Sequence, residues 1–347
     1  MRDRPRPHIT VVLCTWNGAR WLDGMLGSLA TQSRLPDRVV VNDDASSDAT
    51  SDLLRDFAAR APFPFDVEVN ATRLGSTRNF ERALARASGD LIALADQDDV
   101  WHGRKLARLA GILDDDPIVS LAFSDADLID GHDHLSTRTL WEARRVARYL
   151  RKHEIVPAQV LARRGPATGC TMVLRHRAVE AALPFPEVLD DPDAPMRHDR
   201  WLSLIAPLVG TVAAVPETLL SFRVHPDQET GVLGRGGCAR QVWEQARSAA
   251  IDDDLAFVRH HTVRAEQLAQ AAGRAEEVGD FDAEDALRRA SDHHRFRAGR
   301  GPTARRLRDV AEGLWSGGYA MSASGIGSAL ADTARSGRHH SRPGDDP

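Results

Sequence analysis

DLIALADQDDVW (residues 90–101) runs apolar and then stops in three carboxylates, Asp96, Asp98 and Asp99. An apolar run of this length without alternation reads as a strand buried on both faces. Towards the N-terminus, HITVVLCTWN (8–17), RVVVNDD (38–44) and FDVEVN (65–70) read as three more strands. Helical patterns separate them. GARWLDGMLGSLATQ (18–32) puts Trp21, Leu22, Met25, Leu26 and Leu29 on one face, and STRNFERALARAS (76–88) does so with Phe80, Leu84 and Ala87. After the second strand, Ser46 or Ser47 is expected to cap a helix beginning near Asp48. HGRKLARLAGILDD returns to helix after the fourth. This alternation predicts an α/β fold with a mostly parallel central sheet covered by helices on both faces and right-handed crossovers. Ligands of such sheets bind beyond the carboxyl ends of the strands. Three polar strand ends should therefore share one rim: Thr15 and Asn17, Asp43 and Asp44, and the Asp96–Asp99 cluster.

The composition is that of a folded soluble chain: 347 residues, 42% hydrophobic and 27% charged. A net charge of −5, from 45 Lys+Arg against 50 Asp+Glu, gives no reason to expect nucleic-acid binding. Cys14, Cys170 and Cys238 are far apart in sequence and form neither a zinc pattern nor a disulfide framework, which fits a reducing cytosol. The apolar run after the basic start is too short for a signal peptide, and no run reaches the ~18 residues of a membrane span. The expected location is cytoplasmic, with the inner face of the membrane as the alternative.

Beyond residue 118 the pattern is mixed. Segments 119–130, 170–175, 210–215 and 219–225 read as strands, and 141–153 as a basic helix. A Pro/Asp-rich loop covers 184–197, and 231–237 reads as a linker. Helical stretches are expected near 239–272, 281–297 and 303–315, ahead of a disordered tail. The expected domains are a catalytic one over 1–235, a helical region over 236–334 and the tail over 335–347.

Three carboxylates within four residues at the end of a buried strand repel one another unless something compensates. A hard divalent cation, Mg²⁺ or Mn²⁺, held together with phosphate oxygens does so. In an extended segment Asp96 and Asp98 point the same way. The competing reading is capping of the next helix by Asp98 or Asp99. Asp43 and Asp44 have a similar competitor, since DDASSD is a good turn sequence. Neither G-x-G-x-x-G nor G-x-x-x-x-G-K-[ST] is present, which weighs against dinucleotide and P-loop sites.

CTWNGARWLDGMLGSLATQS, VVVNDDASSDAT and GSTRNFERALARASGDLIALADQDDVW together resemble glycosyltransferase family 2, in the form similar to its bacterial rhamnosyltransferase-like branch. The resemblance runs over about residues 8–231 and implies a GT-A fold and an inverting transfer from a nucleotide-diphosphate sugar, with dTDP-L-rhamnose as one candidate. It implies nucleotide contacts at Thr15, Asn17, Asp43, Asp44, Gly75, Asn79 and Asp96, and metal contacts at Asp98 and at His225 of FRVHPDQETG. HDRWLSLIA implies Asp199 as general base, best served if burial raises its pKa, with an N-cap as the competing role. ATGCTMVLRHR resembles the sugar and acceptor segment, so Gly169 and Cys170, with Asp99, Trp101 and His198, are expected in that pocket. The absence of Q-x-x-R-W after Asp199 points away from a processive synthase. Ala45 stands where the family usually has Gly. The acceptor is expected to be a glycan, a lipid-linked sugar or a secondary metabolite. Rival readings are a catalytically silent nucleotide-sugar binder of the same fold and a haloacid-dehalogenase-type phosphohydrolase, the latter from D-x-D-x-V.

Lesser signals are the basic face of Arg144, Arg148, Arg151 and Lys152, read as a solvated surface or an anionic-lipid contact. Segment 313–334 and the His339-His340 pair carry no firm assignment.

Overall fold

The computed structural model describes residues 6–226, 228, 254–278 and 281–298. Its first half follows the sequence periods: β1 (Ile9–Thr15), α1 (Ala19–Ala30), β2 (Arg38–Asp43), α2 (Thr50–Ala58), β3 (Phe65–Val69), α3 (Ser76–Arg86) and β4 (Leu91–Asp96). These strands lie in the order β3-β2-β1-β4, all parallel. Alternate residues explain the two covered faces. Val11, Leu13, Val39, Val41, Ala93 and Ala95 pack in one core with Leu22, Met25, Leu26 and Leu29 of α1. On the other face α3 lies on β1 and β2, with Phe80, Ala83 and Leu84 buried. Each such buried leucine or phenylalanine contributes about 1.5–3 kcal/mol.

The second half makes the sheet mixed. It comprises β5 (Val100–Trp101), α4 (Lys105–Asp115), β6 (Val119–Ile129), β7 (Leu135–Thr139), α5 (Leu140–Ala143), α6 (Ala147–Leu150), α7 (Ala158–Arg164), β8 (Met172–Arg175), α8 (His176–Ala182), α9 (His198–Ile205) and β9 (Thr211–Arg223). The order continues β4-β8-β6-β9-β5, with β7 also on β6. β8 is antiparallel to β4 and β6, and β9 is parallel to β6.

Three local expectations change. The strands read at 210–215 and 219–225 are one strand, β9, whose register slips between Val215↔Ser124 and Thr218↔Asp125. Pro216, which cannot donate to the ladder, sits exposed in that bulge. The basic helix read at 141–153 is two single turns, α5 and α6, interrupted where Arg145 adopts φ 58°. Helix α2 begins at Thr50, and its first turn is met by the Asp48 carboxylate, which accepts the Thr50 N–H at 3.0 Å; neither Ser46 nor Ser47 caps it.

The chain separates into two compact units. The first holds the sheet and consists of Met1–Pro157, Gly165–Phe185 and Met196–Gly234. The second joins α7 and Pro186–Pro195 to the C-terminal helices α10 (Asp254–Val278) and α11 (Phe281–Ala298). There the buried Gln267 amide donates to the carbonyls of Val188 (2.9 Å) and Ala194 (2.8 Å). No helix among the described residues is long and apolar enough to cross a membrane. Cys238, segments 231–237, 303–315 and 313–334, the tail and His339-His340 lie outside the described residues.

Candidate functional site

β1 lies between β2 and β4, so the chain reverses its direction of travel across the sheet at β1, and a cleft of about 680 Å³ opens over the carboxyl ends. Register brings the polar ends together: Thr15 is opposite Asp43, and Cys14 opposite Asp96.

At one end of the cleft the paired aspartates have different tasks. Asp43 is fully buried and accepts from the hydroxyls of Thr15 (2.7 Å), Ser46 (2.6 Å) and Ser51 (3.0 Å), so it anchors the turn and does not line the cleft. Asp44 lines it. The Asp44 carboxylate is aimed by the Asn70 amide (2.8 Å) and by the backbone N–H groups of Leu74 (2.7 Å) and Gly75 (2.8 Å). Gly75 serves here through its backbone, at φ 85°, a conformation glycine adopts freely. Asn79 reaches the cleft but is committed to Asn42 and Asn70, each donating to its side-chain oxygen at 2.8–2.9 Å. Ala45 has φ 58°, which accounts for glycine being usual there.

The mouth beside it is held by Asn17 and Gln97. The Asn17 backbone N–H donates to the Ser46 hydroxyl at 2.8 Å, and its side-chain oxygen accepts the Ser47 N–H at 2.8 Å. The Gln97 amide both accepts from Trp16 N–H (2.8 Å) and donates to Trp16 C=O (3.0 Å). Gly18 makes room for it: a Cβ there would fall 2.1 Å from Gln97 Oε1. Arg73 stacks 3.4 Å from the Trp16 ring centre.

At the acidic end, Asp98 Oδ2 lies 2.9 Å from His225 Nε2. The two are hydrogen-bonded to each other, and a carboxylate beside an imidazole at the cleft is a donor set that would suit a divalent cation such as Mn²⁺. Helix α4 is flanked by Arg104 at its N-cap position with no side-chain cap, so neither Asp98 nor Asp99 is spent on capping. Asp96 also lines the cleft, and burial first, then the charge of Asp98, pushes its carboxyl up to about 7.

Asp99, Trp101, Gly169, Cys170 and His198, expected in the sugar or acceptor pocket, stand behind the cleft wall. Trp101 is in the core because β5 pairs with β9 and its backbone N–H donates to the Ser28 hydroxyl at 3.0 Å. Sequence reading missed Lys105, which is fully buried 3.1 Å over the Trp101 ring and donates to the Cys170 carbonyl. Burial holds its ammonium down at about 7. Asp96, Asp99 and Cys170 could also converge on an ion, but a buried thiol suits hard cations poorly and Lys105 already supplies positive charge.

Asp199 sits in the first turn of α9, behind Arg197 at the N-cap position, and lines the cleft. Its oxygens accept the N–H groups of Arg200 (2.7 Å) and Gly169 (3.2 Å). The raised pKa that would best serve a base is not the one Asp199 has. Burial pushes upward, but the Arg197 and Arg144 guanidinium groups and the Gly169 N–H hold the carboxyl below its ordinary value. His198 is stacked on Phe80 at 3.6 Å and driven down to about 3 by burial, so it is neutral.

Residues 10–180 match the model of glycosyl transferase family 2. The chain carries a glycosyltransferase family 2 domain. An uncharacterised glycosyltransferase of Nostoc sp. is 24% identical over 223 residues, 62% of this chain and 65% of that protein. The chain thus spans less than two thirds of that relative's length. A dTDP-rhamnosyl transferase, RfbG of Shigella flexneri, is 26% identical over 98 residues, 27% of this chain and 34% of that one. Among solved structures, S. aureus TarS 1–349 in complex with UDP superposes with TM-score 0.53 at 16% identity, over 98% of this chain and 94% of that one, which shows a shared fold. In the glycosyltransferase domain, Arg20, Trp21, Arg73, Thr168 and Arg197 also line the cleft. A lone Arg or Trp in a strand–helix pattern carries no signal that would have marked them.

Proposed function

We propose that this glycosyltransferase domain moves one sugar at a time, with inversion, from a nucleotide-diphosphate donor to a hydroxyl of a glycan, lipid-linked or secondary-metabolite acceptor. One observation carries the reading: Asp44, the Asp98–His225 pair and Asp199 open onto one cleft. The Shigella relative's name favours dTDP-L-rhamnose as donor.

Asp44, aimed by Asn70 and two backbone N–H groups, accepts from the donor's base or ribose. The nearby Thr15 and Asn17 hold the loop on which it stands. Asp98 and His225 are the residues to hold Mg²⁺ or Mn²⁺, with Asp96 alongside. When bound, the cation neutralises charge on the departing diphosphate. Asp199 accepts the proton of the acceptor hydroxyl as that oxygen bonds to the anomeric carbon. The bond from that carbon to the diphosphate oxygen breaks with its electron pair staying on the diphosphate. The lowered pKa of Asp199 keeps it ionised at neutral pH, but makes it a weaker base than one tuned towards neutrality. Of the basic face Arg144, Arg148, Arg151 and Lys152, the exposed Arg148 and Lys152 would supply a peripheral contact with an anionic membrane face, while Arg151 pairs with Glu142 and Arg144 is partly buried.

Calorimetry with UDP, dTDP and GDP, in Mn²⁺ and then in EDTA, tests this. Tight binding of one nucleotide that EDTA abolishes is expected. Asp98→Ala should remove the metal-dependent part, whereas Asp199→Asn should keep donor binding and lose transfer by 100-fold or more, on the order of general-base catalysis. Metal-independent binding, or near-normal turnover by Asp199→Asn, would refute the respective assignment.

A further inference from the structure

We infer that Arg223 is a positioning residue that sets both members of the Asp98–His225 pair, an inference that rests on the metal reading of that pair. Arg223 ends β9 and is only 3% exposed. A guanidinium buried this far is costly unless its donors are used, and here they are used on the acidic turn itself. Its Nε donates to the backbone carbonyl of Asp98 at 2.8 Å. Its backbone N–H donates to the side chain of Asp99 at 3.0 Å. Nη1 reaches the carbonyl of Asp130 (3.0 Å) and the carboxylate of Asp133 (2.7 Å). One residue therefore fixes the main chain of Asp98 and the side chain that follows it.

The same residue governs the partner. His225 stands two residues further along the chain, and its ring lies 5.5 Å from the ring of Trp21. Trp21 packs against two guanidinium groups, Arg20 at 4.2 Å and Arg223 at 4.4 Å from its centre. Arg223 is thus the common point of three elements: the turn after β4, the end of β9 and the start of α1. A lysine could replace the charge but not the planar fork that reaches two carbonyls and stacks on an indole at once.

The test compares Arg223→Met, Arg223→Lys and Asp133→Asn in the full chain. Two measurements are made: calorimetric binding of a nucleoside diphosphate with Mn²⁺, and the histidine-ring ¹H–¹⁵N spectrum, with His225 assigned through His225→Asn. Expected for Arg223→Met is a loss of metal-dependent diphosphate affinity of about tenfold or more, the scale of a charge-assisted hydrogen bond. The His225 signal should shift in the metal-free protein, and affinity for the bare nucleoside should hold. Arg223→Lys should fall between, and Asp133→Asn should stay near wild type because Asp133 is 72% exposed. A folded Arg223→Met with unchanged His225 signal and affinity overturns the inference, and so does an equal loss of nucleoside binding. Should Arg223→Met not fold, an unchanged Arg223→Lys overturns it. Should wild type show no metal-dependent binding, the metal reading fails, and the His225 spectrum alone decides whether Arg223 holds that pair.

Discussion

Ala45 shows how much a single residue can carry. It holds φ 58° in the turn that separates Asp44 from the serines on which Asp43 rests. An L-residue with a Cβ is disfavoured there by about 1–2 kcal/mol, part of which glycine would return as unfolded-chain entropy. Ala45→Gly should therefore stabilise the protein by up to about 1 kcal/mol, read from urea midpoints at unchanged slope. The sequence marked the position, since glycine is usual there. It could not separate Asp43 from Asp44, because the difference lies in Ser46, Ser51, Asn70 and Leu74, which reach the two carboxylates only once β2, β3 and α3 are assembled.

At the level of elements, the ends of β2 and β3 and the first turn of α3 are joined by the buried amides of Asn42, Asn70 and Asn79. Asn79→Ala leaves two donors unmet, so a loss of about 1–3 kcal/mol is expected in chemical denaturation. Nucleotide affinity should fall with it, because Asn70 also aims Asp44. The parallel half of the sheet was legible because its strands are apolar throughout and its helices carry clear stripes. The other half was not. β7 is exposed along most of its length and β5 is two residues long, so neither has a period to detect. β9 looked like two strands because Pro216 and Glu217 interrupt the apolar run where a bulge absorbs them. The basic helix failed because charge spacing alone could not reveal the turn at Arg145 or the 2.9 Å pairing of Arg151 with Glu142.

Across the whole molecule, displaced ionisations make the stability of the metal-free protein depend on pH, Asp96 and Lys105 among them. Asp96 titrates near 7 in the fold, above its ordinary carboxylate value, so the folded state binds that proton more tightly than the unfolded chain. Its contribution is full below about pH 4 and is lost as pH rises to about 7. Lys105, also near 7, lies below its ordinary value. The unfolded chain holds that proton more tightly, so its contribution to stability grows from about pH 7 to about pH 10. His198, driven down to about 3, works against Asp96 up to about pH 6.5, and Asp99, pushed up by burial, works against Lys105. Each contribution is therefore read by difference: Asp96→Asn and Lys105→Met against wild type, as urea midpoints in EDTA at pH 5, 7 and 9. The stability of wild type relative to Lys105→Met should grow from pH 7 to pH 9. Gln97 and Gly18 have a different consequence. The carboxamide occupies the volume that any side chain at 18 would need, while standing in for a neighbouring strand along Trp16. The two positions are therefore energetically non-additive: residue 18 can grow only when the Gln97 carboxamide shrinks or leaves its two bonds to Trp16.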